Sequence, residues 1–163
     1  MGVYNFKKDL IEGHKAEEEV LVIVKKKYPK AHRIEGYFKG FDIYVPEVDK
    51  RLEVKFDWAV RKTGNYFIET EFNEKDENGD IIPVSCGIDT TNADYWVIVD
   101  SEVIIVIATE SLKYILRDYK AVTLPPKKTS LGGRGYLIRK ADLITNPYAL
   151  VINRSDKGAK IKL

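Results

Sequence analysis

Residues 41–57, FDIYVPEVDKRLEVKFD, carry the pattern that decides the fold. FDIYV (41–45) and RLEVKFD (51–57) alternate apolar and polar positions with PEVDK between them, which reads as an antiparallel hairpin. In the second run Leu52, Val54 and Phe56 share one face, while Glu53, Lys55 and Asp57 share the other. In the first, Phe41, Ile43 and Val45 lie together and Asp42 shares the opposite face with Tyr44. If both apolar faces are to bury together, odd residues of the first strand must stand opposite even residues of the second. That register brings Asp42 opposite or diagonal to Glu53 and Lys55, within about 5–8 Å. Hydrophobic patterning alone therefore gathers two carboxylates and an ammonium on one side of the sheet.

Upstream, residues 7–28 read as a helix, because Phe6, Leu10, Gly13, Val20, Leu21, Val24 and Tyr28 recur at helical spacing and Pro29 stops the run. With about 100° per residue and Glu17 at zero, the apolar positions fall within roughly 60° on either side. Glu17 thus occupies the middle of the buried stripe, while Glu18 and Glu19 turn toward solvent with Lys15, Lys25 and Lys26.

Downstream, YFIETEF (66–72) reads as a third strand, followed by a polar turn with Asn78-Gly79, and residues 88–95 as a short helix or turn. WVIVD (96–100) and VIIVIAT (103–109) are continuous apolar runs, the mark of strands covered on both faces, and predict the centre of the sheet. A helix is expected at 110–119. LPPKKTSLGGRGYL then reads as a surface loop, and the mixed final stretch ends in a basic tail expected to fray. The order is helix, three strands, short helix, two strands, helix: an α/β fold with a mixed central sheet flanked by helices. One domain over 1–163 is expected, with a core at about 7–109 and a C-terminal extension at about 110–163.

Composition bounds the function. The 163 residues hold 27 Lys and Arg against 25 Asp and Glu, a net charge of +2, so an anionic partner must be held by a local patch and not by bulk charge. The single cysteine, Cys86, excludes a disulfide framework and a zinc quartet, and the reducing cytoplasm is the expected compartment. No apolar run approaches the length of a membrane span, and the charged N-terminal stretch predicts no signal peptide. Gly-x-Gly-x-x-Gly, the Walker loop and Gly-x-Ser-x-Gly are all absent, so no nucleotide cofactor or nucleophile elbow is expected. His14 and His32 lack a partner pattern for zinc.

Carboxylates packed together repel unless a cation sits among them. Oxygen-rich sites of that kind select Mg²⁺ or Mn²⁺. Such an ion carries water to a phosphodiester and stabilises charge on the phosphate and the leaving oxygen. A lysine two residues after a ligating Glu shares its face and is placed to orient or deprotonate that water, or to hold the developing phosphorane charge. An ordinary ion-paired strand face would show the same local pattern.

Glu17, Asp42 and Glu53-Val54-Lys55 together resemble the PD-(D/E)xK nuclease signature, and the element order resembles that superfamily's αβββαβ restriction-endonuclease-like core. Thr63-Gly64-Asn65 with Phe67-Ile68-Glu69, and Gly87-Ile88 with Thr91, Ala93-Asp94 and Trp96, resemble segments of its small phage-type and prokaryotic members. The likeness spans about residues 9–100, with Phe41 where the motif has Pro. It implies that Asp42, Glu53 and the Val54 carbonyl bind Mg²⁺, with Mn²⁺ substituting. It also implies that Lys55 is catalytic, that Glu17 contributes directly or through water, and that the protein is a homodimer, as Holliday-junction resolvases are. The expected activity is DNA hydrolysis in recombination, repair or phage replication. The rivals are a non-catalytic DNA-binding or assembly protein keeping the fold, and an RNA-acting nuclease.

Two further groups of residues belong with these. Asp57 and Glu69 are second-layer candidates, with ion pairing to Arg61 or Lys62 as the alternative. Arg61, Lys62 and Asn65 around a Gly-Asn turn, and Lys127, Lys128 and Arg134 around the glycine-rich stretch, are candidate contacts to the DNA backbone; solvated surface is the alternative.

Overall fold

The computed structural model describes residues 6–36, 40–128 and 130–163, with side chains from residue 8 onward. The N-terminal five residues and the Phe6 side chain, the latter used in the sequence reading, lie outside the described part.

Helix α1 (Phe6–Lys25) is followed by a turn in which the Tyr28 N–H donates to the Val24 carbonyl before Pro29. Its buried side chains, Ala16, Val20, Leu21, Ile23 and Val24, begin midway along it, and Leu10, expected in the stripe, is half exposed. Next come β1 (His32–Arg33), β2 (Ile43–Val45) and β3 (Lys50–Phe56). The hairpin has the expected parity, Ile43 opposite Leu52 and Val45 opposite Lys50. After α2 (Val60–Thr63) the chain runs through β4 (Asn65–Lys75), β5 (Ile81–Ser85) and a single 3-10 turn, Gly87–Asp89, into β6 (Tyr95–Val99) and β7 (Val103–Ala108). Helix α3 (Thr109–Leu116), β8 (Ala121–Leu124), β9 (Gly133–Arg139), α4 (Lys140–Ile144) and β10 (Ala149–Asn153) complete it.

Six strands form a mixed central sheet in the order β1-β2-β3-β6-β7-β10, with β3 and β6 parallel and the other pairs antiparallel. Alternation along β6 and β7 explains their unbroken apolar runs. Val97, Val99, Ile104 and Val106 face α1, while Trp96, Ile98, Ile105 and Ile107 face a second core with α3 and the other sheet. Each such buried Val, Ile or Leu contributes about 1.5–3 kcal/mol.

Three expectations are corrected. The strand at 66–72 does not extend the hairpin: β4 starts after a left-handed turn at Gly64 (φ 72°) and joins a second, antiparallel sheet in the order β5-β4-β9-β8. The glycine-rich stretch is not a loop throughout, because Gly133 and Gly135 lie in β9 where β4 passes close. A Cβ on Gly135 would come within 2.4 Å of the Ile68 carbonyl oxygen and 2.6 Å of the Phe67 ring. The basic tail is docked instead of frayed: β10 pairs with β7, Ala159 and Ile161 enter the α1 core, and Lys26 Nζ donates to the carbonyls of Lys157 and Ala159. Among the described residues no helix is long and apolar enough to cross a membrane.

Candidate active site

The site lies where β2 parts from β3. Asp42 stands just before β2, at the ladder position facing Glu53, and its backbone N–H donates to the Leu52 carbonyl at 2.8 Å. Its buried carboxylate accepts the Val54 N–H at 2.7 Å, replacing a ladder bond with a side-chain one. Gly40, two residues upstream, is gripped by the segment before β6: its carbonyl accepts from the Asn92 N–H at 3.1 Å and from the Thr91 hydroxyl. The chain entering the site is thereby fixed from two sides.

Glu53 and Lys55 leave β3 on the side away from α1, in register with Trp96 and Ile98 of β6. Lys55 Nζ lies 2.6 Å from Glu53 Oε1 and 5.5 Å from the centroid of the Trp96 ring. Partial burial, the largest single influence, pulls the Lys55 pKa down, but Glu53, with help from Asp42 and Glu69, outweighs it and holds the pKa above its ordinary value. Lys55 is therefore a firmly protonated cation here.

Glu17 approaches from the α1 side of the sheet, where its carboxylate pairs with Arg33 of β1 at 2.8 Å. Arg33 reaches Glu18 as well, also at 2.8 Å. Nothing in the sequence pattern marks Arg33, since a two-residue edge strand has no periodicity to read. Glu69 on β4 joins the field around Lys55 and accepts a hydrogen bond from the Cys86 thiol, whose pKa burial and Glu69 together push up to about 12. Cys86 is thus a partly buried thiol at the rim of the site.

Asp57 has a scaffolding task at the junction of α2 and β4. One oxygen accepts the Val60 N–H that opens α2 (3.0 Å), and the other accepts the Phe67 N–H of β4 (3.2 Å). Asn65 starts β4 and turns its amide onto the Thr63 carbonyl. The basic residues form two groups and not one patch. Exposed Arg61 and Lys62 sit on α2 at the start of β4, with Lys62 Nζ 5.7 Å from the ring centroid of the exposed Trp58. Exposed Lys127, Lys128 and Arg134 lie by the far half of β4, where Arg134 pairs opposite Glu71. Six strand residues separate the two ends, about 20 Å.

Asp42, Glu53 and the Val54 carbonyl supply hard oxygen donors, a set that suits Mg²⁺, which keeps several waters and takes one or two carboxylates plus substrate phosphate. Among the described residues no three His, Cys, Asp or Glu side chains are close enough to ligate one ion, so a bound ion would complete its shell with the carbonyl, water and phosphate. A separate shallow cleft is lined by Tyr114, Tyr119, Arg139, Asp142 and Tyr148 and contains none of these residues.

The architecture is a mixed α/β fold with a six-stranded central sheet, a second four-stranded sheet and flanking helices. It is similar to the structure of a bacterial homing endonuclease, I-Ssp6803I, with a TM-score of 0.51 and 15% sequence identity over 85% of this chain and 83% of that one. No family model and no curated protein sequence matches the chain.

Proposed function

We propose that the protein is a Mg²⁺-dependent endonuclease of the PD-(D/E)xK type that hydrolyses DNA phosphodiester bonds. The observation that carries the reading is the meeting of Asp42, Glu53 and a protonated Lys55 at the parting of β2 and β3, in a fold shared with a homing endonuclease. That likeness favours cleavage of DNA over the RNA-acting and non-catalytic alternatives.

In this reading Asp42 and Glu53 would hold a divalent ion with the Val54 carbonyl, and the ion, when bound, would supply Lewis acidity at the scissile phosphate. The Val54 N–H fixes the Asp42 carboxylate, so that the carboxylate is oriented before substrate arrives. Lys55, kept protonated by its neighbours, donates hydrogen bonds to the attacked phosphate and balances the negative charge that grows there. Paired with Glu53 on the same strand face, it is placed to stabilise the phosphate charge or to orient or deprotonate the attacking water. Glu17, tied to Arg33, acts through that arginine and through water instead of as a direct ligand. Arg61, Lys62 and Asn65 at one end of β4, and Lys127, Lys128 and Arg134 at the other, contact the DNA backbone on either side of the cut. The separation of about 20 Å matches roughly six base-pair rises. Pairing of two such sites in a homodimer would address both strands.

The test is incubation of labelled linear duplex, four-way junction, flap and single-stranded DNA with Mg²⁺, Mn²⁺, Ca²⁺ or EDTA. Cleavage of duplex in Mg²⁺ and Mn²⁺, abolished by EDTA and by Glu53→Gln, is expected. An uncut panel in every metal would leave the fold without the chemistry.

A further inference from the structure

We propose that Trp96 is the positioning residue for Lys55: its indole face forms a platform against which the ammonium is held over the site. The inference deepens the nuclease reading and rests on it for what Lys55 does, but the contact itself is independent of any activity. Parallel pairing of β3 with β6 sets Trp96 beside Glu53 and Ile98 beside Lys55. The Lys55 ammonium is 2.6 Å from Glu53 and 5.5 Å from the Trp96 centroid, inside the range of a cation–π contact, for which tryptophan is the strongest partner.

Burial makes the choice of residue informative. Trp96 is 1% exposed, and its indole N–H has no hydrogen-bond partner among the described residues. A buried orphan donor destabilises a fold, and phenylalanine would fill the same core without one. What tryptophan adds at this position is the larger, more electron-rich face, and the cation above that face is Lys55. A lysine has four rotatable side-chain bonds, so a carboxylate at one side leaves its tip free to swing. Glu53 and the ring constrain it along two directions, which removes conformational freedom before the phosphate arrives.

Fluorination tests this without changing the shape of the core, because it drains the ring face and barely enlarges it. The protein has two tryptophans, so a Trp58→Phe background leaves Trp96 as the sole site for fluorotryptophan incorporation. Two readouts are taken across mono-, di- and trifluoro forms. One is the ¹³Cε–Hε resonance of Lys55, assigned by its disappearance in Lys55→Gln, which should begin ring-shifted upfield and move stepwise toward the free-lysine position. The other is cleavage of duplex DNA in Mg²⁺, in which kcat should fall by about tenfold across the series while KM stays within about twofold. A Lys55 resonance already at the free-lysine position, or kcat and resonance both flat across the series, overturns the proposal. Absence of cleavage by the unmodified protein refutes the nuclease reading instead, and the resonance series still decides whether Trp96 holds the lysine.

Discussion

Asp42 and Glu53 differ in how they are held, and the difference predicts how their variants behave. Asp42 is buried with an oxygen on the Val54 N–H, whereas Glu53 is tied to the Lys55 side chain. Asn at 42 keeps an oxygen for Val54, and Gln at 53 keeps its shape. Asp42→Asn and Glu53→Gln should therefore both fold and lose cleavage; without metal Asp42→Asn should melt close to wild type and Glu53→Gln slightly below it, because the latter gives up the ion pair with Lys55. Thermal melts beside cleavage assays check this; near wild-type cutting by either variant would sink the assigned ligands. Lys55→Ala should bind DNA normally and cut about 10²-fold more slowly. Arg33 has the opposite profile: Arg33→Ala removes the cation that pairs with both Glu17 and Glu18 and should lower stability in urea unfolding by about 1–3 kcal/mol, with partial rescue by Glu17→Gln. At this scale Asp42, Glu53 and Lys55 are legible in the sequence because period-two alternation fixes a strand face. Arg33 and Trp96 are invisible there as site neighbours, since one lies on a two-residue edge strand and the other is an apolar residue in a core run.

At the scale of elements, β9 shows why glycine-rich composition is ambiguous. Gly132-Gly133-Arg134-Gly135 has the make-up of a loop, yet two of these glycines lie within a strand because neighbouring backbone leaves no room for a Cβ. Gly135→Ala should destabilise the protein by about 1–3 kcal/mol, and hydrogen exchange should quicken first along β4 and β9. Protection in those strands equal to wild type would mean that the second sheet absorbs the methyl elsewhere. The same strand bears Arg134, so the basic group of Lys127, Lys128 and Arg134 stands on ordered structure next to the Lys127–Ser130 bridge. Reversing those three charges should weaken binding to all duplex sequences alike and reduce the salt slope by about 0.9 for each phosphate no longer neutralised. Reversal at Arg61 and Lys62 should do the same independently, because the two groups sit at opposite ends of β4. An unchanged slope in the triple variant would turn that end of the sheet away from DNA.

Across the whole molecule, the two sheets and the C-terminal tail meet at Asp100, a residue that no local pattern singles out because its partners come from distant segments. The carboxylate is fully buried and accepts from the Tyr66 hydroxyl of β4, the backbone N–H groups of Glu102 and Val103, and Lys140 Nζ of α4. Arg154 donates to the Asp100 carbonyl while pairing with Glu19 of α1. Burial alone would raise the Asp100 pKa, but these donors outweigh it and hold it below the ordinary 3.8. Burial, followed by the bond to Asp100, drives the Tyr66 pKa far above its ordinary 10.0. The two signs give opposite limbs. A depressed carboxyl stabilises the fold above its unfolded value, so stability declines as pH falls below about 4. A raised phenol stabilises it below the unfolded value, so stability declines as pH climbs past about 10, where the unfolded chain releases a proton that the native state keeps. The two groups act as one network, so Tyr66→Phe should lower stability at neutral pH and also flatten the alkaline limb relative to wild type, by about 1.4 kcal/mol per pH unit above 10. Urea midpoints from pH 3 to 11 measure both limbs. If Tyr66→Phe lost stability above pH 10 as steeply as wild type, the alkaline limb would belong to other tyrosines, and the link between the sheets would rest on Lys140 and the backbone donors alone.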